Sequence, residues 1–174
     1  MPNEPAGTVV IGQSGGPTAV INQSLVGIVE TCRGDARVAR VLGARHGVKG
    51  VLAGQFVDLT AEPQDVLERV ADTPAAALGS VRKKPSREEC EKVLAVFRAN
   101  DVRRFFYIGG NDSAETAQLI AELARESGHD LRVFHVPKTI DNDLRVTDHC
   151  PGYGSAARFV ASAFIGDNLD NRSL

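Results

Sequence analysis

Lys138-Thr139-Ile140-Asp141-Asn142-Asp143 sets a cation, a hydroxyl and two carboxylates within six consecutive positions. Paired carboxylates suit divalent-metal binding or removal of a proton from a hydroxyl nucleophile. A lysine beside them can neutralise charge on a phosphoryl group as it moves. Asp141 and Asp143 are two apart, so extended backbone would turn both to one side. A polar turn carrying a surface lysine is the alternative use of the same residues. Two glycine-rich stretches favour the chemical reading. Ser14-Gly15-Gly16 and Gly109-Gly110-Asn111-Asp112-Ser113 each offer backbone N–H groups that an anionic oxygen can approach without obstruction. Glycine-rich turns also join strands to helices where nothing binds, but two of them beside the carboxylate segment point to a phosphate-bearing ligand and phosphoryl transfer. Ser113 is placed to cap the helix that follows. Arg82-Lys83-Lys84 is a local basic cluster that could hold an anion or form a solvated loop.

The elements that must carry these loops can be read from hydrophobic period. Residues 8–11, 38–42, 104–108 and 131–136 read as strands. Ile21, Leu25, Ile28 and Cys32 form a helical stripe, with Gly34 just past its end. Ser86-Arg87-Glu88-Glu89 is a capping box opening a second helix, whose buried face is Cys90, Val93, Leu94 and Phe97. A third helix is predicted over residues 114–126, closed by Gly128. Residues 151–158 read as a further loop entering a helix, and the middle of the chain gives a weaker signal. Strands alternating with amphipathic helices imply parallel βαβ units with right-handed crossovers. The predicted class is therefore α/β, a Rossmann-like and mostly parallel sheet flanked by helices. Residues 12–17, 109–113 and 137–143 each leave the carboxyl end of a predicted strand, and such loops share the sheet edge where ligands bind.

Composition sets the limits. The 174 residues suit one domain, with 43% hydrophobic and 24% charged residues giving a globular rather than disordered chain. A net charge of −2 argues against a broad electrostatic hold on nucleic acid or an anionic membrane. No apolar run reaches bilayer length, and the first residues lack the basic start of a signal peptide. Cys32, Cys90 and Cys150 show no metal or CxxC spacing, and the four histidines are dispersed. A reduced, cytoplasmic protein is expected.

At these residues the sequence resembles the phosphofructokinase family, and more closely its pyrophosphate-dependent branch. The likeness spans essentially the whole chain. It rests on Gly12-Gln13-Ser14-Gly15-Gly16-Pro17 with Ile21-Asn22, on Leu78-Gly79-Ser80-Val81-Arg82, on Gly109 to Ser113 and on Pro137 to Asp143. The resemblance implies transfer of a phosphoryl group from pyrophosphate to the 1-hydroxyl of fructose 6-phosphate, a step of glycolysis giving fructose 1,6-bisphosphate, with Mg²⁺ bridging donor oxygens. Asp141 matches the family's general base, Asp143 its partner and Thr139 a substrate-contacting hydroxyl. Gly15 and Arg82 match groups at the donor phosphates. ATP-using relatives have glycine where Asp112 stands, and many have glycine where Lys138 stands. The first change would repel a nucleotide's α-phosphate side, and the second adds charge at the transferred group. Asn111 replaces the family's metal-associated aspartate, which leaves Asp112 as the expected metal partner.

The rival readings are an ATP-dependent 6-phosphofructokinase and a non-catalytic phosphate-binding module. Family members continue through a Met-Gly-Arg motif and a second domain, and they assemble as homo-oligomers. Residues 1–174 are accordingly expected to be the front, phosphoryl-donor and catalytic-base domain, shortened relative to the family. By itself such a chain is expected to be inactive or very weak.

Overall fold

The computed structural model describes residues 7–173. Five strands form one sheet: β1 Gly7–Gln13, β2 Val38–Ala44, β3 Phe56–Asp58, β4 Val102–Gly109 and β5 Arg132–Pro137. Six helices accompany them: α1 Ile21–Arg33, α2 Val48–Leu52, α3 Gln64–Ala71, α4 Arg87–Ala99, α5 Asn111–Glu126 and α6 Tyr153–Asn171. The strand order is β3-β2-β1-β4-β5. All neighbours run parallel except the short edge strand β3, which pairs antiparallel with β2. The α/β, Rossmann-like, mostly parallel arrangement expected from the alternating periods is thus the observed one.

The central strand β1 is buried along its whole length, as a strand covered on both faces must be. Alternate side chains divide between two cores. Val9 and Ile11 pack with Ile21, Leu25 and Val29 of α1 and Leu67 of α3. Val10 faces the other way, towards Val51 of α2, Val93 and Phe97 of α4 and Ile120 of α5. The four predicted apolar residues of α4 are all buried, and its capping box at Ser86 and Glu89 is formed in both directions.

Three details differ from the sequence expectation. The weak middle section supplies α2, β3 and α3, elements too short to show a clear period. The predicted strands extend further, to Gln13, Ala44 and Gly109. Helix α5 starts at Asn111, with Gly110 as its N-cap and no side-chain cap. Ser113 is therefore not a cap. It is buried in the first turn, where a Cβ on Gly109 would come within 2.1 Å of its Oγ. The far end of α5 closes as expected on Gly128, with φ 65°. Gly128 N–H donates to Arg125 O and His129 N–H to Ala124 O, the paired bonds of a left-handed helix terminus.

Helix α6 has no buried residue, and Phe159 and Phe164 are 74% and 70% exposed. Among the described residues, no helix is long and apolar enough to cross a membrane.

Candidate active site

The sheet order reverses between β1 and β4, and loops leaving the carboxyl ends of β1, β4 and β5 meet there, where an open α/β sheet binds its ligands. They enclose a cleft of about 710 Å³, lined by residues 14–18, 81–84, 110–113, 138–141 and 143. Gly15, Arg82, Asp112, Lys138, Thr139, Asp141 and Asp143 all lie on its wall, together with Asn111. Separations of up to 122 positions along the chain collapse here into contacts.

The first loop is anchored as soon as β1 ends. Ser14 N–H donates to Ile108 O, and Gly15 N–H to Val81 O, each at 2.9 Å. Two of the N–H groups expected to face an anion are thus already used. Gly15 has φ 77°, a region that a Cβ disfavours. What the loop presents to the cleft is bare backbone flanked by two cations. Lys138 Nζ donates to Gly16 O at 2.6 Å, and Arg82 Nη2 lies 2.9 Å from where a Gly16 Cβ would stand. Lys138 is only 5% exposed. Burial, and then the neighbouring Arg82 charge, push its amine below the usual lysine value, while Asp141 acts in the opposite sense. An anion entering the cleft would relieve both costs.

The basic cluster divides into distinct parts. Lys83 pairs with Glu89, and Lys84 with Glu115. All three line the cleft, and Arg82 is the member with no ion pair among the described residues.

The second loop brings the start of α5 to the same wall, with its partial positive charge. The N–H groups of Asn111 and Asp112 stand ahead of the helical ladder and have no intrahelical acceptor. Asn111 donates from Nδ2 to Asp143 Oδ2 at 2.6 Å. Beneath the loop, Gly109 O accepts from Lys138 N–H at 3.1 Å and contacts His135 Nε2 at 3.0 Å. Burial lowers the His135 pKa, which favours the neutral ring.

The third loop corrects the expected geometry of the carboxylates. The backbone is not extended through Asp141 and Asp143, because Asn142 between them has φ 54°. Asn142 Nδ2 donates to Asp148 O, and its Oδ1 accepts from Cys150 N–H, so the chain folds back as a tight turn. Thr139 Oγ1 accepts the Asp141 N–H at 3.0 Å, and Thr139 N–H donates to Pro151 O at 3.0 Å. Both carboxylates still reach the cleft, by turn geometry rather than strand alternation. The supports His135 and Cys150 were not singled out from sequence as site residues. A histidine inside an apolar strand is the one local sign that the first of these left.

No group of three or more His, Cys, Asp or Glu side chains suited to a metal occurs among the described residues. The carboxylates on the cleft wall are Asp112, Asp141 and Asp143, oxygen ligands of the kind that Mg²⁺ takes one or two at a time beside substrate phosphates.

Residues 8–169 match the family described as phosphofructokinase. Over 168 residues the chain is 54% identical to a pyrophosphate–fructose 6-phosphate 1-phosphotransferase of Rhodospirillum rubrum, spanning 97% of this chain and 42% of that protein. A protein of the same description from Xanthomonas campestris is 46% identical, over 94% of this chain and 40% of the relative. The crystal structure of a pyrophosphate-dependent phosphofructokinase from Marinobacter aquaeolei superposes with a TM-score of 0.90 at 40% identity, covering 97% of this chain and 42% of that one. The chain thus spans about two-fifths of the length of these relatives.

Proposed function

The chain belongs to the phosphofructokinase family, and on that basis we propose that residues 1–174 are the phosphoryl-donor and catalytic-base domain of an enzyme transferring phosphate from pyrophosphate to the 1-hydroxyl of fructose 6-phosphate. The observation that carries the choice of donor is Lys138, buried against Gly16 O beside Arg82, with Asp112 on the same cleft's lining in the first turn of α5. Two cations on one wall suit the dense charge of pyrophosphate. A carboxylate at the α5 start opposes the longer chain of a nucleotide. The named activities of the relatives support the same reading.

In this mechanism Asp141 accepts the proton of the 1-hydroxyl as its oxygen forms a bond to phosphorus. The bond to the leaving orthophosphate breaks, and Lys138 and Arg82 offset the charge that accumulates on it. Gly15 keeps the loop clear of side chains, Thr139 fixes Asp141 and retains its own hydroxyl proton to offer the sugar, and Asp143 supports the base. Asp112 would hold Mg²⁺, which when bound neutralises phosphate charge. The working enzyme is a cytoplasmic homo-oligomer that uses neither nucleic acid nor membrane, and the 174-residue chain alone turns over weakly or not at all.

Calorimetric titration of the chain with pyrophosphate and with ATP tests the donor assignment. Pyrophosphate is expected to bind more tightly, and Lys138→Gly with Asp112→Gly to reverse the order. Tighter binding of ATP by the unmutated chain would refute it.

A further inference from the structure

We infer that Gln13 and Asn22, which touch no part of the cleft, are positioning residues that set the geometry of the donor loop and of Arg82. The inference takes from the proposed function only the identity of the ligand. Gln13 is 0% exposed and Asn22 1% exposed, on β1 and α1 segments otherwise packed with aliphatic side chains. Amides in such a place cost stability unless every polar atom is bonded, and here they are. Gln13 Nε2 donates to Ile21 O at 3.2 Å and to Asn22 Oδ1 at 3.0 Å, and Gln13 Oε1 accepts from Leu78 N–H at 3.0 Å. Asn22 Oδ1 also accepts from Ala77 N–H, and its Nδ2 donates to Thr73 O, each at 2.8 Å.

These bonds fix an irregular segment, residues 73–78, against the end of β1 and the start of α1. Its continuation does the work. The chain turns at Gly79, φ 73°. Ser80 Oγ donates to Gly15 O, and Val81 O accepts the Gly15 N–H. Arg82 then arrives beside Gly16. The peptide on each side of Gly15 is therefore held by residues 80 and 81, and those are held by the amide pair. Apolar side chains could fill the same space, but would leave Ala77 N–H and Leu78 N–H without the acceptors they now have. The carboxylate loop has its own ties, through Pro151, Asp148 and Cys150, and meets the donor loop through Lys138 Nζ on Gly16 O, so loss of the amides should loosen the donor wall more than the carboxylate loop.

The test uses Gln13→Met, Asn22→Leu and Ser80→Ala. The last lies outside the core and keeps the question answerable should either core variant fail to fold. Inorganic pyrophosphate affinity and hydrogen exchange at the Gly15 amide are measured together. Each variant is expected to weaken pyrophosphate about tenfold, the loss of one or two hydrogen bonds' worth of ordering. Gln13→Met combined with Ser80→Ala should cost less than the product, since both cut one line of support. Gly15 exchange should accelerate while Val10 and Ile108 stay protected. Unchanged Gly15 exchange in folded variants, or exchange rising equally across the sheet, overturns the inference. Should the unmutated chain bind no pyrophosphate, the proposed ligand falls, and the exchange pattern alone still decides whether the amides position the loop.

Discussion

Gly15 and Gly16 are adjacent, equally close to a cation and, on the geometry above, unequal in what an added methyl group would do. A Cβ at Gly15 would stand 2.8 Å from Lys138 Nζ, and one at Gly16 2.9 Å from Arg82 Nη2. Both atoms end flexible side chains, so steric distance does not separate the two sites. Backbone and bonding do. Gly15 has φ 77°, where an L-residue costs about 1–2 kcal/mol. Its methyl would also push Lys138 from Gly16 O, a charged hydrogen bond of 2.6 Å in a buried place, worth about 1.5–3 kcal/mol when lost. Partial retention of that bond brings the expected total for Gly15→Ala to about 2–4 kcal/mol, a fall in Tm on the order of 10 °C for a chain of this size. Gly16 has no positive φ, and Arg82 can swing into the cleft, so Gly16→Ala should change stability by less than about 1 kcal/mol. Thermal unfolding by circular dichroism reads stability, and pyrophosphate titration reads the site, where both substitutions should weaken binding. Equal Tm values for the two variants, or a larger loss for Gly16→Ala, would refute the view that Lys138 and the left-handed backbone brace this loop.

Other outcomes follow from individual contacts. Asn111→Asp would set two carboxylates at the 2.6 Å contact now made by an amide and Asp143, a pair that either shares a proton or attracts a cation; pyrophosphate binding should become more dependent on Mg²⁺, and an unchanged metal dependence would show that Asp112 and the phosphate oxygens suffice. Because burial lowers the His135 pKa below its ordinary 6.5, the unfolded chain binds more protons between those two values. Stability should therefore fall as pH drops through 6.5 towards the lower folded-state value, and His135→Gln should shrink that fall in a Tm series. Ser86→Ala removes half of the α4 capping box and should lower stability by about 1 kcal/mol, seen as a Tm loss of about 2–4 °C; no loss would mean that Glu89 alone satisfies that end.

Much of the fold was legible because its signals are local. The period of Cys90, Val93, Leu94 and Phe97 requires only one turn of helix after another, and all four are buried as read. Glycine-rich turns after apolar runs placed the three loops at strand ends, and chain alternation placed those ends together. β3, with three residues, has too few positions to show alternation, and its strand character comes from pairing with β2.

The residue types of the candidate site were set by the sequence: three aspartates, a lysine and bare glycines just past the ends of strands, and an arginine in the segment before α4. Which atoms those groups address was decided by the tertiary structure. Lys138 finds Gly16 O across 122 positions, and Gln13 meets Leu78 across 65. Lys83 and Lys84 pair with Glu89 and Glu115 at the cleft wall, while Arg82 beside them has no ion pair among the described residues. Asn142 bends the carboxylate loop because Asp148 and Cys150 are there to receive its amide. Periodicity reports which face of an element is apolar, but a hydrogen bond depends on a partner brought close only by packing, and that partner has no mark in the residues beside it.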